Sequence, residues 1–225
     1  MQRFFDILFS CIALLVLLPL LAAVSLLLRM TGEGEIFFLQ ERIGRGGVPF
    51  KLFKFATMLQ NSPNLGTGTM TVKGDPRILP AGKFLRKTKI NELPQLLNIL
   101  FGHMSVIGPR PLTAQTFRAY SPHTQSVVVQ VRPGLSGIGS IVFRGEEDIL
   151  DGASSAVEFY ENIIAPYKGT LEEWYVKNQG IYTYFIAIFV TIWVVSVSRS
   201  NLTWKVFKGL PVPPIELQGA LKFVA

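Results

Sequence analysis

The chain has 225 residues, of which 49% are hydrophobic and 16% charged, and its 22 basic residues against 15 acidic ones give a net charge of +7. This composition is too apolar for a disordered protein. The single cysteine, Cys11, excludes an internal disulfide and a cysteine-based zinc site. Positive charge combined with an apolar surplus indicates a membrane surface or a phosphate-rich ligand as partner.

The N-terminal segment 4–28 is almost continuously apolar, and it is interrupted only by Asp6, Ser10, Pro19 and Ser25. It exceeds the roughly 20 residues that a helix needs to cross a bilayer. A cleaved signal peptide is disfavoured because the apolar stretch is long and a basic region follows it. Lipidation at Cys11 is disfavoured because too little apolar sequence precedes that residue.

Positive charge lies on both sides of this segment, with Arg3 before it and several arginines and lysines after it. Because such charges favour the cytoplasmic side, both ends are expected there. Pro19 favours a kink near the middle, since it lacks an N–H. A spanning helix and a re-entrant helix that bends at Pro19 both remain open on these residues. We also expect Arg3 and Asp6 to pair, because they are three residues apart on one helix.

Residues 31–180 are predicted to form a small α/β domain. Strands are expected at 37–40 and 50–55, separated by a glycine-rich turn, and 61–74 is predicted to be a loop. Helices are expected at 82–86 and 92–100. Asn91 is predicted to cap the second of these helices, and Pro94 is expected in its first turn.

A basic cluster precedes this second helix, and it comprises Lys73, Arg77, Lys83, Arg86, Lys87 and Lys89. Such clusters bind phosphates, so nucleic acid is one possible partner. We disfavour nucleic acid because Phe84 is the one aromatic residue within the cluster, and base stacking needs more. A compact polyanion such as a pyrophosphate needs the same cations in a tighter arrangement. The sequence contains neither a P-loop nor a GxGxxG motif.

Two arginines are held next to prolines. Arg110 lies between Pro109 and Pro111, and Arg132 precedes Pro133. Proline restricts the backbone of its neighbours, which lowers the entropy lost when the guanidinium binds a phosphate. Each site could be only a structural corner, but together with the basic cluster they indicate an anion site.

A second apolar stretch, 181–197, is close to the lower length limit for a membrane span. Its tyrosine, threonine and tryptophan residues favour a helix that lies in the membrane interface, with a buried core helix as the alternative. The expected domain organisation is therefore a membrane helix at 1–30, the α/β domain at 31–180, and an interfacial helix with a C-terminal tail at 181–225.

Many separate motifs resemble, in the same order, those of the bacterial sugar transferases, the monotopic polyprenol-phosphate phosphoglycosyl transferases. They include Arg3-Phe4-Phe5-Asp6, Gln40-Glu41-Arg42-Ile43-Gly44, Asp75-Pro76-Arg77, Glu92-Leu93-Pro94-Gln95-Leu96, Gly108-Pro109-Arg110-Pro111 and Arg132-Pro133-Gly134. The resemblance implies transfer of a sugar phosphate from a UDP-sugar to undecaprenyl phosphate, with release of UMP. It also implies magnesium, a re-entrant helix, which favours the bend at Pro19, and a site at the cytoplasmic face of the bacterial inner membrane.

Site residues follow from the resemblance together with the charge pattern. Lys54, Arg77, Arg86, Arg110 and Arg132 are expected to contact substrate phosphates. Glu92 is expected to act in catalysis and to bind Mg²⁺, a hard cation that prefers oxygen ligands. The expected partners are the UDP-sugar, undecaprenyl phosphate and membrane lipid, with no nucleic acid and with a homodimer as an option.

One position departs from the family pattern. Members usually carry an Asp-Glu pair before Leu-Pro-Gln, with the Asp as nucleophile, whereas this chain has Asn91-Glu92. An amide oxygen is a far poorer nucleophile than a carboxylate. Glu92 could attack instead, or the lipid phosphate could attack the donor directly. The alternative is a membrane-bound family member with impaired or lost turnover that acts as a binding or scaffold protein. The acidic run at 146–151 is expected to be a solvated loop, or a source of a surrogate carboxylate.

Overall fold

The computed structural model describes residues 1–65, 74–151, 155–197 and 201–223. The first half of the chain contains helix α1 (Gln2–Met30), strands β1 (Phe37–Ile43) and β2 (Pro49–Phe55), helices α2 (Pro80–Lys87) and α3 (Gln95–Leu100), and strand β3 (Ser105–Ile107). Short 3₁₀ turns lie at Arg45–Gly47, Ser62–Asn64 and Ile90–Glu92.

The second half is mostly helical. It contains α4 (Ala114–Arg118), α5 (Pro122–Val128), strand β4 (Gly134–Ser136), α6 (Ile138–Val142), α7 (Glu146–Asp151), α8 (Ala156–Phe159), α9 (Ala165–Lys177), α10 (Ile181–Ser196), α11 (Leu202–Val206) and α12 (Ile215–Gln218). A π-helical turn at Tyr160–Ile164 joins α8 to α9.

The strands form two small sheets among the described residues. β1 and β2 pair antiparallel, with Phe37 opposite Phe55 and Ile43 opposite Pro49. β3 and β4 pair in parallel, with Ser105 opposite Gly134. The predicted mixture of helices and strands is therefore confirmed, and both predicted N-terminal strands are present with longer bounds. Of the predicted 61–74 loop, residues 66–73 lie outside the described residues.

Helix α1 packs lengthwise on the rest of the protein. Near its start, Phe5 stacks edge-on against Phe185 of α10, with ring centroids 4.9 Å apart. In its middle, Leu14 packs on a buried cluster that includes Ile99 of α3. Near its end, Leu28 is buried against a third cluster that includes Leu85 of α2. The helix continues through Pro19, and along its length its inward face contacts the domain.

The opposite face of α1 is exposed and apolar. Leu15, Val16, Leu18 and Leu26 are each more than 60% exposed, and α1 is long and apolar enough to cross a membrane. At 1.5 Å per residue its 29 residues extend about 43 Å, against about 30 Å for a bilayer core.

The predicted Arg3–Asp6 pair is wrong. Asp6 is only 2% exposed, and its Oδ1 accepts hydrogen bonds from the Ser105 hydroxyl, the Val106 amide and the Tyr184 hydroxyl, at 2.9, 2.9 and 3.0 Å. Arg3 donates to the carbonyl oxygens of Ile99 and Leu100 instead. Asp6 and Arg3 each contact the rest of the protein rather than one another. The Asp6 carboxylate finds buried hydrogen-bond donors there, and the Arg3 guanidinium finds the free carbonyl oxygens at the end of α3.

Helix α10 uses one face for the core. Tyr184, Ala187 and Val190 recur every three residues and are fully buried, whereas Tyr182 and Ile192 are more than 60% exposed. The same core cluster includes Phe207 and Leu217. The buried face agrees with the alternative of a core helix, whereas a location of the exposed face in the membrane interface remains a prediction. The predicted domain boundary at residue 180 also remains a prediction.

Candidate active site

A cluster of cations surrounds Glu92 where the two sheets and the turn after α2 meet. Arg42 comes from β1, Lys54 from β2, and Arg110 from the loop that follows β3. Arg110 Nη2 lies 3.4 Å from Glu92 Oε1. Arg86 of α2 lies near enough to influence Lys54 electrostatically. We call Arg42, Lys54, Arg86 and Arg110 the cationic cluster.

Backbone pairing places the arginines of this cluster. The Gly134 amide donates to the Pro109 carbonyl at 2.8 Å, so the β3–β4 pairing fixes the Arg110 corner. The Ile43 amide donates to the Leu112 carbonyl at 2.9 Å. Arg42 Nη1 donates to the Pro111 carbonyl, also at 2.9 Å, and this contact holds the Arg42 side chain beside Arg110.

Asn98 of α3 holds strand β2 next to the Glu92 turn. Its Oδ1 accepts from the Phe53 amide at 2.9 Å, and its Nδ2 donates to the Lys51 carbonyl at 2.8 Å. Asn98 is fully buried. Its side-chain amide therefore satisfies two backbone groups of β2 that lie directly before Lys54. The turn itself begins at Lys89, whose φ of +60° is unusual for a residue with a side chain.

The crowding of like charges perturbs the cluster. Burial, together with the charges of Arg42, Arg110 and Arg86, lowers the pKa of Lys54 to about 7. Burial and Arg110 lower the pKa of Arg42 to about 10. Burial alone would raise the pKa of Glu92, but Arg110, Lys54 and Lys89 outweigh it and lower that pKa to about 2. One carboxylate therefore faces several cations, and the site is suited to a further anion.

Asn91 adds an unpartnered acceptor. It is 4% exposed, and its Oδ1 has no hydrogen-bond partner within the described part of the protein. The prediction that Asn91 caps the following helix is wrong, because it lies inside the 3₁₀ turn Ile90–Glu92, and α3 begins after Pro94 without a side-chain cap. An orphaned buried oxygen next to Glu92 is suited to a ligand or a metal ion.

A second carboxyl group, that of Glu172 in α9, contacts the backbone of Arg110. It is fully buried, and its Oε1 accepts from the Arg110 amide at 3.3 Å. Burial raises the pKa of Glu172 to about 7, although the Arg110 amide, Lys168 and the Arg110 charge oppose that rise. A Cβ on Gly139 would lie 2.4 Å from Glu172 Oε1, so this position has no room for a larger residue.

The sequence profile described as "Bacterial sugar transferase" matches residues 1–198, which is most of the chain. The chain belongs to the bacterial sugar transferase family. Exopolysaccharide production protein ExoY of Sinorhizobium fredii is 31% identical over 214 residues, which cover 89% of this chain and 87% of that protein.

Two other relatives of this sugar transferase carry names that state a reaction. UDP-glucose:undecaprenyl-phosphate glucose-1-phosphate transferase of Klebsiella pneumoniae is 36% identical over 163 residues, or 70% of this chain and 34% of the relative. UDP-N-acetylgalactosamine-undecaprenyl-phosphate N-acetylgalactosaminephosphotransferase of Aeromonas hydrophila is 33% identical over 193 residues, or 85% and 42%. The chain thus spans less than half the length of these two relatives.

The predicted phosphate contacts of the sugar transferase separate into two groups. Lys54 and Arg110 lie near Glu92, and Arg86 lies near Lys54. Arg77 does not join them as a phosphate ligand, because it is 5% exposed and its guanidinium already binds Asp75, at 2.8 and 2.5 Å, and the carbonyls of Ser62 and Leu65. Arg132 lines a different cavity and donates to the Gly102 carbonyl at 2.8 Å.

Some functional candidates were not expected from the sequence. Arg42 and Glu172 are not among the site residues expected from the sequence, yet both lie close to Arg110. Glu146 was expected in a solvated loop, but it begins helix α7 and forms a 2.6 Å ion pair with the nearly buried Lys168. These three residues are far apart in sequence, so a local pattern cannot show that they lie near Arg110.

Proposed function

We propose that this family member transfers a sugar 1-phosphate from a UDP-sugar to undecaprenyl phosphate and releases UMP. The observation that carries the proposal is the cationic cluster around Glu92, with three of its four members within electrostatic reach of that carboxylate. A nucleotide diphosphate and a lipid phosphate are both anions, so their charges must be neutralised before an oxygen of the lipid phosphate can approach the β-phosphorus of the donor. The names of the relatives describe this reaction for those proteins.

In this transfer the bond between the β-phosphorus of the donor and its bridging oxygen breaks, and UMP leaves with the bridging oxygen. A new bond joins that phosphorus to an oxygen of undecaprenyl phosphate. Catalysis of phosphoryl transfer depends mainly on positioning and on charge neutralisation. Glu92 and the fold hold the Arg110 guanidinium in place, so Arg110 is suited to bind the equatorial oxygens of the transferred phosphate. Lys54 and Arg42 are suited to neutralise the bridging oxygen, which leaves with UMP.

Asn91 leaves two routes for the attack. In the first, the lipid phosphate attacks the β-phosphorus directly. In the second, the Glu92 carboxylate attacks it and forms an acyl phosphate, from which a lipid phosphate oxygen then takes the phosphosugar and restores the carboxylate. The low pKa of Glu92, about 2, keeps it ionised but makes it a weak nucleophile. The direct route is therefore our preferred one.

Magnesium fits the donor set as a proposed cofactor. The described residues contain no group of three histidine, cysteine or acidic side chains that could hold a metal alone. Mg²⁺ in phosphoryl-transfer sites is commonly held by one or two protein oxygens together with substrate phosphates. Glu92 and the unpartnered Asn91 Oδ1 would supply such oxygens. When bound, the ion would neutralise phosphate charge during transfer.

The packing of α1 supports a re-entrant topology with the site at the cytoplasmic face of the inner membrane. Phe5 near one end packs on Phe185 of α10, and Leu28 near the other packs on Phe55 and Leu85, so both ends of α1 contact the rest of the protein. A helix that crossed the bilayer core would carry one end away from the rest of the protein. With the exposed face of α1 in lipid, the cationic cluster would lie near the membrane surface, where a lipid phosphate can reach it.

The reaction is tested with purified full-length protein, radiolabelled UDP-sugars, undecaprenyl phosphate and Mg²⁺. We expect labelled lipid and UMP in equal amounts, and Arg110→Ala should lower the rate at least 100-fold. Arg118→Ala is the matched control, because Arg118 is an exposed arginine of α4. Transfer that is unaffected by Arg110→Ala would contradict the assignment of the site.

Asn91→Asp distinguishes the working enzyme from the impaired one. If the natural chain is a binding protein with lost turnover, it forms no product while the Asn91→Asp variant does. If the direct route operates, the natural chain is active and yields no acid-stable adduct on Glu92 by mass spectrometry.

The topology of α1 is tested by cysteine labelling at residues 2 and 32 in intact cells. Both positions should be inaccessible from outside, and external labelling of either would refute the re-entrant arrangement.

A further inference from the structure

A second cationic cavity lies away from the cationic cluster, at the start of helix α1. It encloses about 200 Å³, which is room for several water molecules and hence for a phosphate group. Arg3 from α1, Arg45 from the β1–β2 turn and Arg132 from the segment before β4 line it. None of these arginines belongs to the cationic cluster, and the transfer reaction proposed above does not use this cavity.

The charges of the cavity are unbalanced. Asp6 is the acidic residue among its lining, and its Oδ1 is already occupied by three hydrogen-bond donors. Three arginines therefore face one committed carboxylate. Such an excess of guanidinium groups in a partly enclosed space favours an anion with several oxygens.

Backbone contacts hold two of the arginines in place and leave donors for a ligand. Arg3 uses one N–H of each Nη for the carbonyls of Ile99 and Leu100, at 2.5 and 2.9 Å. Arg132 uses Nε for the Gly102 carbonyl at 2.8 Å, and across the described ranges its two Nη atoms have no hydrogen-bond partner. Arg45 is exposed at the rim. Fixed guanidiniums lose little entropy when they bind.

We propose that this arginine cavity binds the phosphate group of an anion, with Arg3, Arg45 and Arg132 as its ligands. Phe4, which follows Arg3 directly, is 65% exposed on the apolar surface of α1. The exposed apolar surface of α1 therefore begins one residue after Arg3, and the phosphate can come from an anionic lipid headgroup or from a soluble phosphate. The site is independent of the UDP-sugar, so it can exist whether or not the proposed transfer occurs.

The test measures binding in an Arg110→Ala background, so that the cationic cluster contributes little. One arm measures ³²P-labelled inorganic phosphate by equilibrium dialysis. The other arm counts lipids retained in native mass spectrometry after release from nanodiscs of phosphatidylglycerol or of phosphatidylcholine. We expect Arg45→Glu to weaken binding at least tenfold, and Arg118→Glu, an exposed arginine outside the cavity, to leave it unchanged.

Retention of phosphatidylglycerol without binding of inorganic phosphate identifies the ligand as a lipid headgroup. Binding of inorganic phosphate alone identifies it as a soluble anion. Either result supports the site when Arg45→Glu abolishes the binding signal. Absence of both signals, or equal signals for Arg45→Glu and Arg118→Glu, overturns the proposal. Gln130→Glu, at a second exposed position of the lining, provides the same loss if Arg45→Glu does not fold. Failure of the transfer assay alone leaves these readouts unchanged, so the two proposals fail separately.

Discussion

Replacing Asp6 with alanine tests whether the membrane helix is locked to the domain by one carboxylate. Asp6 Oδ1 accepts three hydrogen bonds, from Ser105, Val106 and Tyr184, and all of these groups are largely removed from solvent. The Ser105 hydroxyl also accepts from Gln2 Nε2 at 2.9 Å, but without Asp6 its own O–H has no acceptor. The Val106 amide and the Tyr184 hydroxyl lose their acceptor as well.

Each buried donor left without a partner costs about 1–3 kcal/mol, so three of them cost about 6 kcal/mol. For a chain of this size each kcal/mol corresponds to roughly 2–4 °C in melting temperature, which predicts a decrease of about 18 °C. Thermal unfolding in detergent, followed by near-ultraviolet circular dichroism, measures it. Asp6→Asn is the control, because its amide oxygen can still accept the same bonds and should recover most of the loss. A decrease of less than 3 °C for Asp6→Ala, or equal decreases for both variants, would refute the reasoning.

Three further predictions concern the site and its supports. Because burial raises the pKa of Glu172 to about 7, the folded state binds the extra proton between about pH 4.5 and 7, and stability falls as the pH rises through this range. At about 1.4 kcal/mol per unit the loss is about 3 kcal/mol, and the melting temperature of Glu172→Gln should lack this dependence. Gly139→Ala should reduce transfer at least tenfold and destabilise the protein by about 1–3 kcal/mol, because its Cβ would displace Glu172. Arg77→Lys should lower stability by about 2 kcal/mol with little change in the KM for UDP-sugar, because lysine cannot make the two-pronged contact with Asp75.

Each of these predictions can be contradicted by one measurement. A parallel pH profile for Glu172→Gln and the natural chain would show that Glu172 does not carry the buried proton. Normal transfer by Gly139→Ala would show that the Glu172 position tolerates displacement. A large increase in KM with unchanged melting temperature for Arg77→Lys would return Arg77 to the substrate contacts expected from the sequence.

Local sequence patterns predicted the parts of the fold that depend on neighbouring residues. The apolar run at 4–28 predicted helix α1, because a segment of that length with Asp6 as its single charged residue can satisfy its backbone in lipid only as a helix. Glycine-rich residues between two apolar runs predicted the β1–β2 hairpin. Pro109 and Pro111 restrict the backbone at Arg110, and because that restriction is local the sequence alone indicates it.

Patterns failed where a long-range partner was available. Arg3 and Asp6 are spaced for an ion pair, yet α3, β3 and α10 offer each of them better buried partners. Arg77 and Arg132 carry the charge that the site around Glu92 needs, but Arg77 binds Asp75 and Arg132 lines a separate cavity. Spacing in the sequence gives no information about these competitors.

The amino-acid sequence by itself determined that the protein has a helix long and apolar enough to cross a membrane, a surplus of basic residues and the motifs of its family, since these depend on composition and on residues close together in the chain. The tertiary structure alone decided which charged groups lie close together. Arg42, Lys54 and Arg110 lie near Glu92, and Glu172 contacts the Arg110 backbone. The physical reason is that electrostatic coupling depends on distance and desolvation. Both are set by the pairing of strands and the packing of helices that lie far apart in the chain.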